Sequence, residues 1–88
     1  TPERLRMIDA AEAYLRQRGL REVRVRYHRG DLARVEVPAE VISRFLDEKE
    51  REALTEKLRD LGFKFVTLDL VGFRSGNLNQ LIQLDTSG

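Results

Sequence analysis

The chain contains no cysteine, no tryptophan and a single histidine, His28. Without cysteine there are no disulfides, no thiolate metal sites and no thiol nucleophile in this stretch of sequence. One histidine excludes a histidine-based zinc site and any histidine cluster. No apolar run approaches the roughly 18 residues of a membrane-spanning helix, and no signal-peptide pattern opens the chain. A cytoplasmic protein is therefore the default expectation. The first residue is Thr rather than Met, so a fragment or processed piece of a longer protein is expected.

The 88 residues are enough for one small domain with a single modest core, two layers thick. Charged residues make up 35% of the chain and nearly cancel, leaving a net charge of +1. That balance argues against a general nucleic-acid or membrane-surface binder. The charge is nevertheless uneven: seven arginines fall between Arg16 and Arg34, against only Glu22 and Asp31. Arginine outnumbers lysine heavily, and its fixed fork of donors suits phosphate and carboxylate groups.

Thr1-Pro2-Glu3 is a helix start, with Thr as N-cap, Pro at the first helical position and an acid in the first turn. Leu5, Ile8, Ala11 and Leu15 then form one stripe, and Gly19 ends the helix. Val23 to His28 alternates strictly and reads as a strand. Arg29-Gly30-Asp31 is a turn, and Leu32 to Val37 alternates again, which predicts a β-hairpin. Pro38 opens a second helix with Val41, Ile42, Phe45 and Leu46 on its buried side. The charged run Asp47 to Glu52 marks a break or bend, after which Leu54, Leu58 and Leu61 carry a further helix to Gly62. Phe63 to Leu70 is the third strand, with Phe63 and Phe65 expected in the core. Two segments, Leu15 to Val23 and Leu58 to Val66, share the order helix end, Gly, apolar residue, base, strand start. That echo suggests two neighbouring parallel strands, with the spatial order second, first, third. The expected fold is α/β: a two-layer domain over residues 1–81, with a small mixed sheet of about three strands (a hairpin plus one parallel strand) and two or three helices on one face. Residues 82–88 read as a frayed tail.

The strand period places Arg24, Arg26 and His28 together, opposite Val23, Val25 and Tyr27, and Arg34 and Glu36 join them from the second strand. Such a face is either a solvated surface with cross-strand ion pairs or a binding surface for an anion or a partner. His28, near the hairpin tip, reads as an exposed structural residue. Glu12, beside the apolar stripe of the first helix, reads as a boundary salt-bridge residue. After the third strand, Gly72-Phe73-Arg74-Ser75-Gly76 presents a cation and amide donors in a glycine-flanked loop, a common way to meet an anionic ligand.

In order and spacing, Thr1-Pro2-Glu3-Arg4-Leu5, the helix around Glu12, the VRVRYH strand (23–28), ARVEVP (33–38) and TLDLVGFRSG (67–76) resemble the C-terminal region of the LarE-type ATP-dependent sacrificial sulfur transferases, a branch of the PP-loop ATP pyrophosphatase superfamily. The resemblance runs from Thr1 to about Leu81. It implies a parent in which an N-terminal PP-loop domain binds ATP and Mg and adenylates a carboxylate of a nicotinate-derived mononucleotide. A cysteine would then give up its sulfur, and the product would lead to the nickel-pincer nucleotide cofactor. Some relatives instead draw sulfur through an iron–sulfur cluster. Family members assemble as trimers or hexamers.

This chain holds neither the phosphate-binding loop nor the cysteine, so no catalytic or metal-ligating residue and no cofactor is assigned to it. What the resemblance implies for it is recognition. Arg24 and Arg26 would grip phosphate, Arg74 and Ser75 would add donors from the loop, and Glu12, Glu36 and Arg34 would support the pocket or a subunit contact. The Arg29-Gly30 tip departs from the family's shorter turn. Two other readings stand beside it: a protein-interaction module without a small ligand, and an anion-binding domain of a paralogue with another substrate. RNA binding is disfavoured by the near-neutral charge and the lack of paired exposed aromatics on central strands.

Overall fold

A computed structural model describes residues 1–73. Helix α1 (Pro2–Gln17) starts as its sequence dictates, with the Thr1 hydroxyl accepting the Arg4 N–H at 3.2 Å. Strands β1 (Arg24–His28) and β2 (Leu32–Glu36) form an antiparallel hairpin across the three-residue tip. The chain then makes a 3₁₀ helix, Ala39–Leu46, turns at Asp47, continues as α2 (Glu48–Leu61) and returns as β3 (Phe65–Leu68). Both Gly30 and Asp31 have positive φ, at 89° and 59°, which a tight hairpin tip demands and which Gly and Asp tolerate.

The sheet order is β1-β2-β3, with β3 parallel to β2. This corrects the expected order in which the first strand is central and runs parallel to the third. The reason lies in the connections. The hairpin already makes β1 and β2 antiparallel, and the helical crossover from β2 returns the chain beside β2 in the same direction, as a β-helix-β unit must. The repeated helix–Gly–strand order was therefore a local likeness of helix ends. Burial agrees: Ala33, Val35 and Val37 of the β2 segment are all fully buried, as suits a central strand under helices.

All the described helices cover one face of the sheet. Ala11 and Leu15 from α1, Leu54 and Leu58 from α2, and Phe45 meet Val25, Ala33, Val35, Val37 and Phe63 in one core. Three residues assigned inward by periodicity lie outward: Leu5 and Leu46 are exposed, and Phe65 is 59% exposed. Leu46 turns out because the segment is a 3₁₀ helix, whose period of three shifts it off the face held by Ile42 and Phe45. Phe65 turns out because the regular strand begins there. Val66 and Leu68 face the helices, so Phe65 and Thr67 point to the other side.

Glu50 ties the helical layer together. Its carboxylate pairs with Arg18, at the end of α1, and accepts from Arg44 Nε at 2.6 Å, while Arg44 Nη2 donates to the Arg18 carbonyl at 2.8 Å. Asp47 caps α2 by accepting the Glu50 N–H at 3.0 Å. The Arg44 hydrogen bond and the Arg18 guanidinium hold the Glu50 carboxyl below its ordinary pKa, against a smaller opposing effect of burial. A depressed pKa contributes stability that is present above the unfolded value and lost as pH falls through the folded one. Glu50→Gln is therefore expected to lower the urea midpoint at neutral pH, with the gap to the parent narrowing once the pH drops below the ordinary carboxylate pKa of about 4.3. Parallel pH curves for the two proteins would contradict this.

Gly72 closes the described chain against β2. Its φ is 91°, and a Cβ there would lie 2.8 Å from the Val37 carbonyl oxygen, the atom that accepts the Phe73 N–H at 2.7 Å. Gly72→Ala is expected to cost about 2 kcal/mol in chemical unfolding, from the left-handed backbone and the clash together. An unchanged midpoint would show that the contact does not constrain the chain.

Candidate functional site

The two-residue period of the strands sorts the sheet into a helix-covered face and one that the described residues leave open. On the open face three rows follow from the pairing register: His28, Leu32 and Phe65; then Arg26, Arg34 and Thr67; then Arg24 and Glu36, with Asp69 just past the end of β3. The arginines expected to share this face do share it. Asp69 and Phe65 are additions that the sequence reading missed. Alternation counted backwards and forwards from Val66 and Leu68 would have found both.

Arg26 stands directly across from Arg34, a like-charge pair that is unfavourable unless something negative lies between. Glu36 supplies it. Its Oε2 lies 3.2 Å from Arg34 Nη2 and 3.6 Å from Arg26 Nε, and its side chain is only 13% exposed. Arg34 Nε also faces Asp69 Oδ2 at 3.6 Å, too long for a hydrogen bond, and this buried donor has no hydrogen-bond partner among the described residues. Asp69 is held in turn by accepting the Val71 N–H through Oδ1 at 2.9 Å. Arg24 pairs with no carboxylate among the described residues; its guanidinium lies over the Phe73 ring, 5.7 Å from the centroid. Three arginines thus meet two carboxylates, and the guanidinium left over is an exposed fork on an open surface.

Glu12 is not on this face. It projects from α1 on the helix side, where Oε2 accepts the Val25 N–H at 3.0 Å and Oε1 meets Arg16 at 3.5 Å. The boundary ion pair expected from its spacing is present, and the backbone bond is a further role. β1 is an edge strand, and Val25 sits between Arg24 and Arg26, so Glu12 anchors the segment that presents both arginines. At the other end of the hairpin, Asp31 accepts the Tyr27 hydroxyl through its carboxylate and the N–H groups of Lys64 and Phe65, at 2.7 and 3.3 Å, through its carbonyl. That hydrogen bond, with burial, raises the Tyr27 phenol above its usual pKa. Asp31 thereby pins the start of β3 to the hairpin tip and sets the register of the open face. His28 is exposed at the edge of the first row, as its position near the tip suggests. Arg74 and Ser75 lie outside the described residues.

A concavity of about 630 Å³ lies elsewhere, between α2 and β3, lined by Phe45, Leu54, Val66 and Leu68 and by charges of both signs. It holds none of the arginines of the open face. Among the described residues no cluster of three or more acidic, histidine or cysteine side chains is arranged to hold a metal ion, and no helix is long and apolar enough to cross a membrane.

No family model matches the chain. It is 45% identical over 82 residues to the pyridinium-3,5-bisthiocarboxylic acid mononucleotide synthase of Lactiplantibacillus plantarum, a match covering 93% of this chain and 29% of that protein. It is 42% identical, again over 82 residues, to an uncharacterized protein of Synechocystis, covering 93% of this chain and 30% of the relative. The chain therefore spans about three-tenths of the length of the curated relatives it matches. The likeness covers the α1 helix, the hairpin and the β3 segment alike, and it identifies the chain with the C-terminal region of the LarE-type sulfur transferase family.

Proposed function

We propose that this chain is the substrate-recognition part of a LarE-type enzyme and that its open sheet face binds the phosphate of a nicotinate-derived mononucleotide. The observation that carries the reading is the unbalanced arginine face. Arg24 is left without a carboxylate partner among the described residues, beside an Arg26–Arg34 pair that already shares Glu36. The relative from Lactiplantibacillus plantarum makes a mononucleotide by its name, which supplies the ligand class.

The chemistry assigned to each group follows from its position. Arg24 offers two parallel donors to phosphate oxygens, and Arg26 adds a second guanidinium one pleat away on the same face. Glu36 and Asp69 orient Arg26 and Arg34 rather than touch the ligand, because a carboxylate repels a phosphate. Glu12 acts from the other side of the sheet by fixing β1. Arg74 and Ser75, which follow Phe73 in the sequence, are proposed to contribute further donors. ATP, Mg, the adenylation step and the sulfur source belong to the remainder of such an enzyme, whose product would feed assembly of a nickel-pincer cofactor. No residue described here is assigned to that chemistry. A trimeric or hexameric assembly is part of the same proposal.

Titration of the chain with nicotinic acid mononucleotide and with inorganic phosphate tests the reading. Charge-assisted hydrogen bonds are worth about 1.5–3 kcal/mol each, so Arg24→Ala combined with Arg26→Ala is expected to weaken both ligands at least tenfold. Glu12→Gln is expected to weaken them less and to destabilise the fold as well. Equal weak binding by the parent and the double variant would count against the arginine site.

A further inference from the structure

Phe65 is a large aromatic ring on the open side of the sheet, and nothing in the arginine reading uses it. It is 59% exposed, an uncommon state for a phenylalanine on a regular strand, and its row-mates Leu32 and His28 extend the same strip across all three strands. Leu32 is half-buried and His28 exposed, so the strip is apolar at its centre and wet at its β1 edge. The neighbouring row holds Arg26 and Arg34. Rows on one face of a strand are two residues apart, about 7 Å. The open face therefore divides into an apolar aromatic strip and an arginine strip lying side by side.

We propose that Phe65 is the specificity-determining residue for the base: the pyridine ring of a mononucleotide lies on the Phe65–Leu32 strip while its phosphate meets the arginines. The inference rests on the phosphate reading above and adds what that reading lacks, a reason for the site to prefer a mononucleotide over any other phosphate. Three physical features support it. The ring and the guanidinium groups share one face, which a single ligand spans without bending around an edge. Phe65 is held at its backbone by the Asp31 carbonyl, so the ring starts from a fixed point. A pyridine ring has a flat π face whatever its substituents, which suits stacking on phenylalanine with no hydrogen-bond readout.

The test compares two probes, nicotinic acid mononucleotide and ribose 5-phosphate, on the parent chain, Phe65→Ala and Phe65→Tyr. Stacking of a base on an aromatic side chain is lost on substitution by alanine with an effect of about five- to hundredfold. Phe65→Ala is expected to weaken the mononucleotide by that factor, to leave ribose 5-phosphate unchanged, and so to erase the preference between them. Phe65→Tyr keeps the ring and is expected to keep the preference. If the parent binds both probes and Phe65→Ala binds them as the parent does, the base strip is overturned and the phosphate site stands. If the parent binds neither probe, the phosphate reading fails and this one falls with it. A change of molecular mass in Phe65→Ala with affinity for both probes intact would assign the ring to a subunit contact and likewise overturn the proposal.

Discussion

The two-residue period of β2 is the constraint on which the rest depends. Ala33, Val35 and Val37 are fully buried beneath the helices, and that burial admits no slip of register. A shift by one residue would put Arg34 and Glu36 into the core, where unpaired charge is very costly. Because β2 is the central strand, its alternation also dictates the facing of both neighbours. The arginine face is thus a consequence of core packing: the same hydrophobic burial that stabilises the domain delivers Arg24, Arg26 and Arg34 to one open surface.

Two polar anchors keep that surface in place. Glu12 ties the middle of β1 to α1 at one edge, and the Asp31 carbonyl ties the start of β3 to the hairpin tip at the other. The first satisfies a β1 N–H that faces away from β2, and the second includes the first ladder bond between β3 and the start of β2. The helical layer has its own clasp in Arg18, Arg44 and Glu50, remote from the arginine face. Stability and recognition are in this way separated between the two layers, which allows substitutions on the open face to be interpreted as effects on binding.

Much of this was legible in the sequence. Thr1 and Pro2 announce the first helix, Gly62 ends the last, and the alternation in 23–28 and 32–37 gives the hairpin and the grouping of the arginines. The order of strands was not legible, because it depends on which hairpin strand is fully buried, and both strands alternate alike. Leu46 and Phe65 were misplaced for related reasons: a 3₁₀ period cannot be distinguished from an α period over eight residues, and the start of a strand fixes its facing only once its partner is known. Asp69 was missed because no facing was assigned to the third strand beyond its first residues, although the expected strand, Phe63 to Leu70, contained it. The likeness to part of a mononucleotide synthase agrees with the family resemblance carried by VRVRYH, ARVEVP and TLDLVGFRSG.

The central claim is that Arg24 and Arg26 on the open sheet face, and not the arginines of the helical layer, take the phosphate. Side-chain Nε–Hε resonances of the arginines, followed by NMR as nicotinic acid mononucleotide is added, address it directly. The account predicts shifts at Arg24 and Arg26, a smaller response at Arg34 as its carboxylate partners adjust, and none at Arg18 or Arg44 in the helical layer. Shifts confined to the helical layer, or spread evenly over all arginines, would contradict it.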